Sequence, residues 1–104
     1  MDVSGVQIDM ARKNVPDGHF IHSGITGSEF PANSFDAIVA FYAVEHVPRE
    51  EHAELFTRFV HWLWPGGRLL FTLEPSDEPG HTGEWLGVPM FLSYFDPDTT
   101  AQLL

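Results

Sequence analysis

The chain has 104 residues, which is enough for one domain with a single hydrophobic core. Fifteen acidic residues against five basic ones give a formal net charge of −10, which repels phosphate backbones and anionic lipids, so we expect neither nucleic-acid nor membrane partners. The absence of cysteine excludes disulfides, thiolate metal ligands and thiol nucleophiles.

The N-terminus does not have the pattern of a targeting signal. Met1–Ser4 is neither basic nor apolar, as a secretory signal would be. No later apolar run approaches the ~20 residues that a membrane span needs. The sequence therefore predicts a cytoplasmic protein.

A helix is predicted directly after this segment. Ser4 and Gln7 form a capping box, in which the serine oxygen accepts one free backbone N–H and the glutamine reaches back to another. A narrow apolar face follows, made of Val6, Met10 and Ala11, and the turn at residues 16–18 ends the helix. Residues 19–22 (His-Phe-Ile-His) alternate loosely and predict a short strand.

The most apolar stretch of the chain is Phe35–Tyr42, with Asp36 at its entry. An apolar run without polar alternation is typical of a strand that is buried on both faces of a parallel sheet. We therefore expect this segment to be the central strand of the fold.

A second helix and strand are predicted after it. Pro48 suits the first turn of a helix, and the buried face repeats with helical spacing through His52, Phe56, Phe59, Val60 and Leu63. Of these, Phe56, Phe59 and Val60 are predicted core residues. The glycines of Pro65-Gly66-Gly67 end the helix, and Arg68–Leu73 predicts another apolar strand.

The segment Glu74–Tyr94 is predicted to be a long loop, because proline, glycine, serine and aspartate recur through it. Its aromatic residues are Trp85, Phe91 and Tyr94. They have two interpretations, as the lining of an acceptor pocket or as the cover of a core edge. Asp96 and Pro97 then have the pattern of a helix start. The chain ends within about two turns of that start, which indicates truncation.

Helices and strands alternate along the chain, which favours an α/β fold with a parallel sheet and right-handed crossovers. Three stretches in this order resemble the class I S-adenosylmethionine (SAM)-dependent methyltransferases: Asp2–Ser4 with the helix ending at Ala11-Arg12, Phe30–Val39, and Trp64–Leu70. The resemblance implies that residues 1–104 are a partial methyltransferase domain. It also implies a truncated, Rossmann-like, three-layer fold with a mainly parallel sheet.

The resemblance assigns four residues to cofactor binding in the first part of the chain. Asp2 falls where the family has an acid that accepts from both ribose hydroxyls of SAM, and Val3 would pack on the adenine. Gly24 and Ile25 fall where the family has an acid for the adenine amino group, followed by an apolar residue. Because this acid is replaced by glycine, that contact is missing here. An alternative for Asp2 is a frayed, solvated terminus.

Three further residues are assigned at the end of the central strand. Phe41 and Tyr42 leave the carboxyl end of this strand, where open α/β sheets place their ligands, so they would border the sulfonium and the acceptor. His46 would be the catalytic or acceptor-side residue. The pair Glu45-His46 suits general-base chemistry, and a helix cap or loop contact is an equally good interpretation.

Two expectations follow from where the chain departs from the family pattern. The family's glycine-rich cofactor loop, first strand and last two strands have no counterpart here, so cofactor binding by this chain is an open question. A sheet without its first strand exposes an apolar edge, which predicts a homodimer or direct closure of the gap.

The implied activity is methyl transfer from SAM to an unidentified small-molecule or other acceptor. The alternative is a non-catalytic remnant that folds as a self-associating module. A metal site is not expected, because His46 and His52 are six residues apart and project from different helix faces.

Overall fold

The computed structural model describes all 104 residues. Two single 3₁₀ turns, at Val44–His46 and Arg49–Glu51, precede the second α-helix. The remaining elements in chain order are α1 (Gly5–Asn14), β1 (Phe35–Ala40), α2 (His52–Trp62), β2 (Leu63–Phe71), β3 (Glu78–Trp85), β4 (Val88–Tyr94) and α3 (Pro97–Leu103). The longest helix has 11 residues, and none is long and apolar enough to span a bilayer.

The central feature is a parallel pair of strands, as the sequence predicts. In this pair Ile38 lies opposite Leu69, and Ala40 lies opposite Phe71. The register shifts near the start of the pair, where the Pro65-Gly66-Gly67 segment lies, and Gly66 has a φ of 85°. The pair with its covering helix confirms the α/β class and is compatible with a truncated Rossmann-like domain.

Helix α2 packs against this pair and forms the core with it. Seven buried residues form the central cluster: Ala40, Val44, Val47, Leu55, Phe56, Phe59 and Trp62. Phe56 and Phe59 are thus confirmed as core residues. The prediction for Val60 is wrong, because its side chain is 65% exposed. The buried stripe of α2 runs through positions 52, 55, 56, 59 and 62, and Val60 lies to one side of it.

The outer face of the parallel pair is uncovered, so the prediction of a strand buried on both faces is wrong. Ala40 is buried and Ile38 is half-buried, because both face α2. Val39 points the other way and is 59% exposed, and Leu70 is exposed opposite it.

The segment predicted as a long loop forms an antiparallel hairpin instead. Strands β3 and β4 pair from Glu78 opposite Tyr94 to Trp85 opposite Val88. Leu86 and Gly87 make the connection with φ of 51° and 81°, as a two-residue hairpin turn of the primed type requires. Leucine is an unusual residue for this turn, and the prolines within the strands hide their pattern.

The N-terminal region agrees with prediction only in part. Ser4 Oγ accepts from the Gln7 N–H at 3.3 Å, but the Ser4 N–H donates to Asp2 Oδ1 and not to Gln7. Ile8 is the buried residue of α1, whereas the predicted apolar positions Val6 and Met10 are exposed. The helix therefore meets the fold through a different face.

The strand predicted at residues 19–22 is reduced to one parallel bridge between Asp2 and His22. This bridge consists of two backbone hydrogen bonds, from Asp2 N to Ile21 O and from Ser23 N to Asp2 O. At the other end of the chain, α3 begins as predicted, with Asp96 accepting from the Thr99 N–H at 2.9 Å.

Candidate functional site

A cleft of about 570 Å³ opens between the carboxyl end of β1 and the Asp2–His22 bridge. Clefts of ~300–1,000 Å³ are the usual size for small-molecule sites. All residues that the sequence assigns to the site line this one cleft: Asp2, Val3, Gly24, Ile25, Phe41, Tyr42 and His46. The fold thus brings together residues that are up to 44 positions apart in the chain.

Asp2 is held in place on one wall of the cleft. Its backbone N–H and C=O are both used in the bridge to the segment Ile21–Ser23. Its carboxylate Oδ1 accepts from the Ser4 N–H at 2.8 Å, which leaves Oδ2 without a partner in the chain. Both backbone polar groups of Asp2 are therefore hydrogen-bonded, which argues against a frayed terminus. One carboxylate oxygen is available to a ligand.

The loop that carries Gly24 and Ile25 is fastened to α2 by Arg58. The guanidinium of Arg58 donates to the carbonyl oxygens of Thr26 at 2.6 Å and Ser28 at 2.5 Å. The Ser28 hydroxyl lies 2.8 Å from the Gly24 carbonyl oxygen and closes the loop on itself. Sequence reasoning misses Arg58, because a charged residue on a helix has the same pattern whether it faces solvent or a loop.

Tyr42 marks the point where β1 ends at the cleft. Its φ is 53°, in the left-handed region that bulky residues rarely adopt. The Tyr42 N–H donates to Thr72 Oγ1 at 2.8 Å, and the Thr72 N–H donates to the Ala40 carbonyl at 3.3 Å. Thr72, which directly follows β2, thus fixes the carboxyl end of β1. Its position just after β2 is the only signal of this role in the sequence.

His46 joins the cleft to the hairpin. Its Nδ1 lies 2.9 Å from the Phe91 carbonyl oxygen. Because a carbonyl oxygen can only accept, Nδ1 carries the proton, and the neutral ring keeps its lone pair on Nε2. His46 therefore makes a contact with the hairpin through Nδ1 and keeps Nε2 as a free basic nitrogen. Glu45 takes no part, since it is only 7% exposed and lies outside the cleft lining.

The three aromatic residues of the hairpin segment do not line the cleft. Tyr94 is buried, but it is not part of the central cluster around α2. Trp85 is exposed beside the turn of the hairpin. The Phe91 ring packs against Gly80, where an added Cβ would come within 3.3 Å of the ring. Only the backbone of Phe91 reaches the site.

The cleft lining contains few charged groups. Asp2 is its one carboxylate, Met1 contributes the N-terminal amine, and none of the five Lys and Arg residues is part of it. Arg49 instead pairs with Asp77 at 2.9 Å, and Arg58 is used in the loop contacts. No group of three or more His, Asp or Glu side chains is placed to hold a metal ion.

Comparison with known proteins identifies the family of the chain. The family model described as "Methyltransferase domain" matches residues 1–67, a range that contains every predicted site residue. This chain belongs to the methyltransferase-domain family. The resemblance to SAM-dependent methyltransferases is thereby confirmed, and methyl transfer is the general activity of the family.

Two curated relatives of this methyltransferase-domain chain carry a more specific name. Phosphoethanolamine N-methyltransferase of Plasmodium falciparum (isolate 3D7) is 33% identical over 75 residues, which cover 69% of this chain and 28% of that protein. Phosphoethanolamine N-methyltransferase 3 of Arabidopsis thaliana is 40% identical over 47 residues, which cover 45% of this chain and 9% of that protein. The chain thus spans under a third of the length of either relative. No solved structure matches it.

Proposed function

We propose that the cleft binds SAM and supports transfer of its methyl group to a small nucleophilic acceptor. The observation that carries this proposal is the convergence of all predicted site residues on one cleft at the carboxyl end of β1. When bound, SAM supplies a methyl group on a positively charged sulfur, which leaves as a neutral thioether.

The residues present fit this cofactor. The free Oδ2 of Asp2 can accept from a ribose hydroxyl, and the side chains of Val3 and Ile25 give an apolar surface suited to adenine. Gly24 leaves room beside them, since a Cβ there would meet only Val3 Cγ1 at 3.4 Å. Phe41 and Tyr42 lie across the cleft from this wall, at the end of β1.

His46 is the proposed base on the acceptor side. Its Nε2 would take one proton from the acceptor and pass it to water, which would free the acceptor's lone pair to form the bond to the methyl carbon. The names of the two relatives support a nitrogen as the acceptor atom. The chain contributes mainly alignment of the two reactants, with His46 as the one group that moves a proton.

Calorimetric titration with S-adenosylhomocysteine tests cofactor binding. We expect micromolar affinity for the native chain and a loss of about 10-fold to 100-fold in Asp2→Asn, because charge-assisted hydrogen bonds are lost. Asp9→Asn is the matched control, since Asp9 is an exposed carboxylate on α1 outside the cleft. No heat with the native chain, or equal affinity in both variants, would overturn the proposal.

A second candidate is a self-associating module, and the open side of β1 favours it. The Ala40 carbonyl accepts from Thr72 N–H, so the backbone of Ala40 points toward β2. The N–H and C=O groups of its neighbours Val39 and Phe41 therefore point to the unpaired edge. An unpaired, apolar edge invites pairing with the same edge of a second copy. Because this edge borders the cleft, dimerisation and cofactor binding would compete.

A further inference from the structure

Three residues other than glycine have a positive φ in this chain: Asn33, Tyr42 and Leu86, at 57°, 53° and 51°. Asparagine adopts this conformation readily, whereas tyrosine and leucine are strained in it. Strained residues that persist at a site are frequently part of its function. Of the two strained residues, only Tyr42 lines the cleft.

The surroundings of Tyr42 hold its backbone and leave its ring free. The hydrogen bond from its N–H to Thr72 Oγ1 at 2.8 Å fixes the strained conformation. The side chain itself is 74% exposed, so packing does not explain why an aromatic residue stands here. A contact with a ligand would use the exposed ring.

The charge of the cleft indicates what kind of ligand group the ring meets. The lining contains the carboxylate of Asp2, the N-terminal amine of Met1, the aromatic residues Phe41 and Tyr42, and no Lys or Arg side chain. The whole chain carries a formal charge of −10. An aromatic face attracts a cation, and the negative net charge of the chain opposes a phosphate group.

We propose that the ring of Tyr42 recognises the cationic nitrogen of a small, unphosphorylated amine acceptor, and that Thr72 positions this ring. The proposal rests on the proposed function and deepens it by naming the acceptor class. It separates this chain from its relatives, whose names specify a phosphorylated amine. The amine binds as an ammonium ion on the ring and passes one proton to Nε2 of His46 before it accepts the methyl group.

Ethanolamine and O-phosphoethanolamine are the matched probes, because they differ only in the phosphate. Titration of the full chain followed by NMR, with and without S-adenosylhomocysteine, gives an affinity for each. We expect ethanolamine to bind at least about 10-fold more tightly, since phosphate adds negative charge to a chain whose net charge is already −10. Equal or tighter binding of O-phosphoethanolamine overturns the proposal.

Substitutions at Tyr42 separate its ring from its strained backbone. Tyr42→Asn should raise the melting temperature by about 4–8 °C through relief of strain, while ethanolamine binding weakens about 5-fold. Tyr42→Phe keeps the aromatic ring and should recover most of the ethanolamine affinity that Tyr42→Asn loses. Leu86→Asn is the control, because Leu86 is equally strained, 87% exposed and outside the cleft. It should gain stability with no change in binding.

The role of Thr72 is tested by a hydroxyl-deletion pair. Thr72→Val should weaken ethanolamine binding, and Thr72→Ser, which keeps the acceptor oxygen for the Tyr42 N–H, should restore it. Unchanged ethanolamine binding in Tyr42→Asn contradicts the recognition role. S-adenosylhomocysteine binding without amine binding overturns the acceptor class alone, and amine binding without S-adenosylhomocysteine binding overturns the proposed function alone.

Discussion

The Nδ1 atom of His46 lies 2.9 Å from the carbonyl oxygen of Phe91, so the proposed base is held by the hairpin and not by its own helical turn. This contact fixes the ring orientation and leaves Nε2 as the basic atom. A hairpin that sequence reasoning assigns to an open loop thus becomes a support of the site.

Variants of His46 separate these two roles. His46→Asn places an amide N–H near the position of Nδ1, so it should keep the bond to Phe91 and the melting temperature while methyl transfer falls at least ~100-fold. His46→Ala loses the bond as well and should destabilise the fold by about 1 kcal/mol. Activity and thermal melts measure the two effects. Full methyl transfer by His46→Asn would remove His46 from the reaction.

Arg58 should matter for both stability and cofactor affinity. Arg58→Met removes two hydrogen bonds to the Thr26 and Ser28 carbonyls, with an expected cost of about 1.5–3 kcal/mol in the free energy of unfolding. It should also weaken S-adenosylhomocysteine binding, because the freed loop carries Gly24 and Ile25. Arg68→Met, at an exposed position, is the control. It should change the free energy of unfolding, measured by urea denaturation, by less than about 0.5 kcal/mol. Similar effects of the two variants would contradict the anchoring role.

Adjacent positions on α2 should respond very differently to truncation. Phe59 is only 1% exposed, so Phe59→Ala should lower the free energy of unfolding by about 3–5 kcal/mol. Val60 is exposed, so Val60→Ala should lower it by less than about 0.5 kcal/mol. Urea denaturation of the two variants measures the difference. A large effect at Val60 would show that its side chain is covered in solution.

Asp96 gives the fold a dependence on acid pH. The Thr99 backbone N–H, followed by the Thr99 hydroxyl, lowers the pKa of Asp96 below its ordinary value of 3.8. A lowered folded-state pKa contributes stability that is present above pH 3.8 and is lost as the pH falls through the folded-state pKa. The melting temperature should therefore fall less steeply between pH 7 and pH 2 in Asp96→Asn than in the native chain. Parallel curves would contradict the assignment.

Self-association should follow from the unpaired edge of β1, together with the uncovered apolar face beside it. We expect a dimer at micromolar concentration in sedimentation, and more of it at high salt, because salt screens the repulsion between two copies of charge −10. Leu70→Lys, on the exposed face beside Val39, should shift the equilibrium to monomer, and Val60→Lys on α2 should not. A monomeric native chain under these conditions would exclude the dimer.

What the sequence could predict depended on local chemistry and on strong apolar patterns. Ser4 and Asp96 were recognisable as helix caps because their partners lie three residues away. The pairing of β1 with β2 and the burial of Phe56 followed from apolar runs and helical spacing. The site residues came from family resemblance, and the fold placed them together.

The remaining features depend on contacts between distant segments, which no local pattern reveals. Thr72 supports Tyr42 only because two strands lie side by side, and Arg58 reaches a loop 30 residues earlier. The exposure of Val39 depends on which faces the helices cover. The hairpin is not apparent from the sequence, because leucine occupies a turn position that glycine or asparagine normally takes.

The two sides of the cleft differ in how firmly they are built. The β1 side belongs to the buried core, whereas the Asp2 side is attached mainly by hydrogen bonds: two in the backbone bridge and one between His22 Nε2 and the Val3 carbonyl at 2.9 Å. Such a wall opens more easily than a packed core, and a ligand must lose part of its binding free energy in ordering it. A partner or neighbouring segment that clamps Asp2 against His22 would therefore raise ligand affinity without touching the ligand, by removing that entropic penalty in advance.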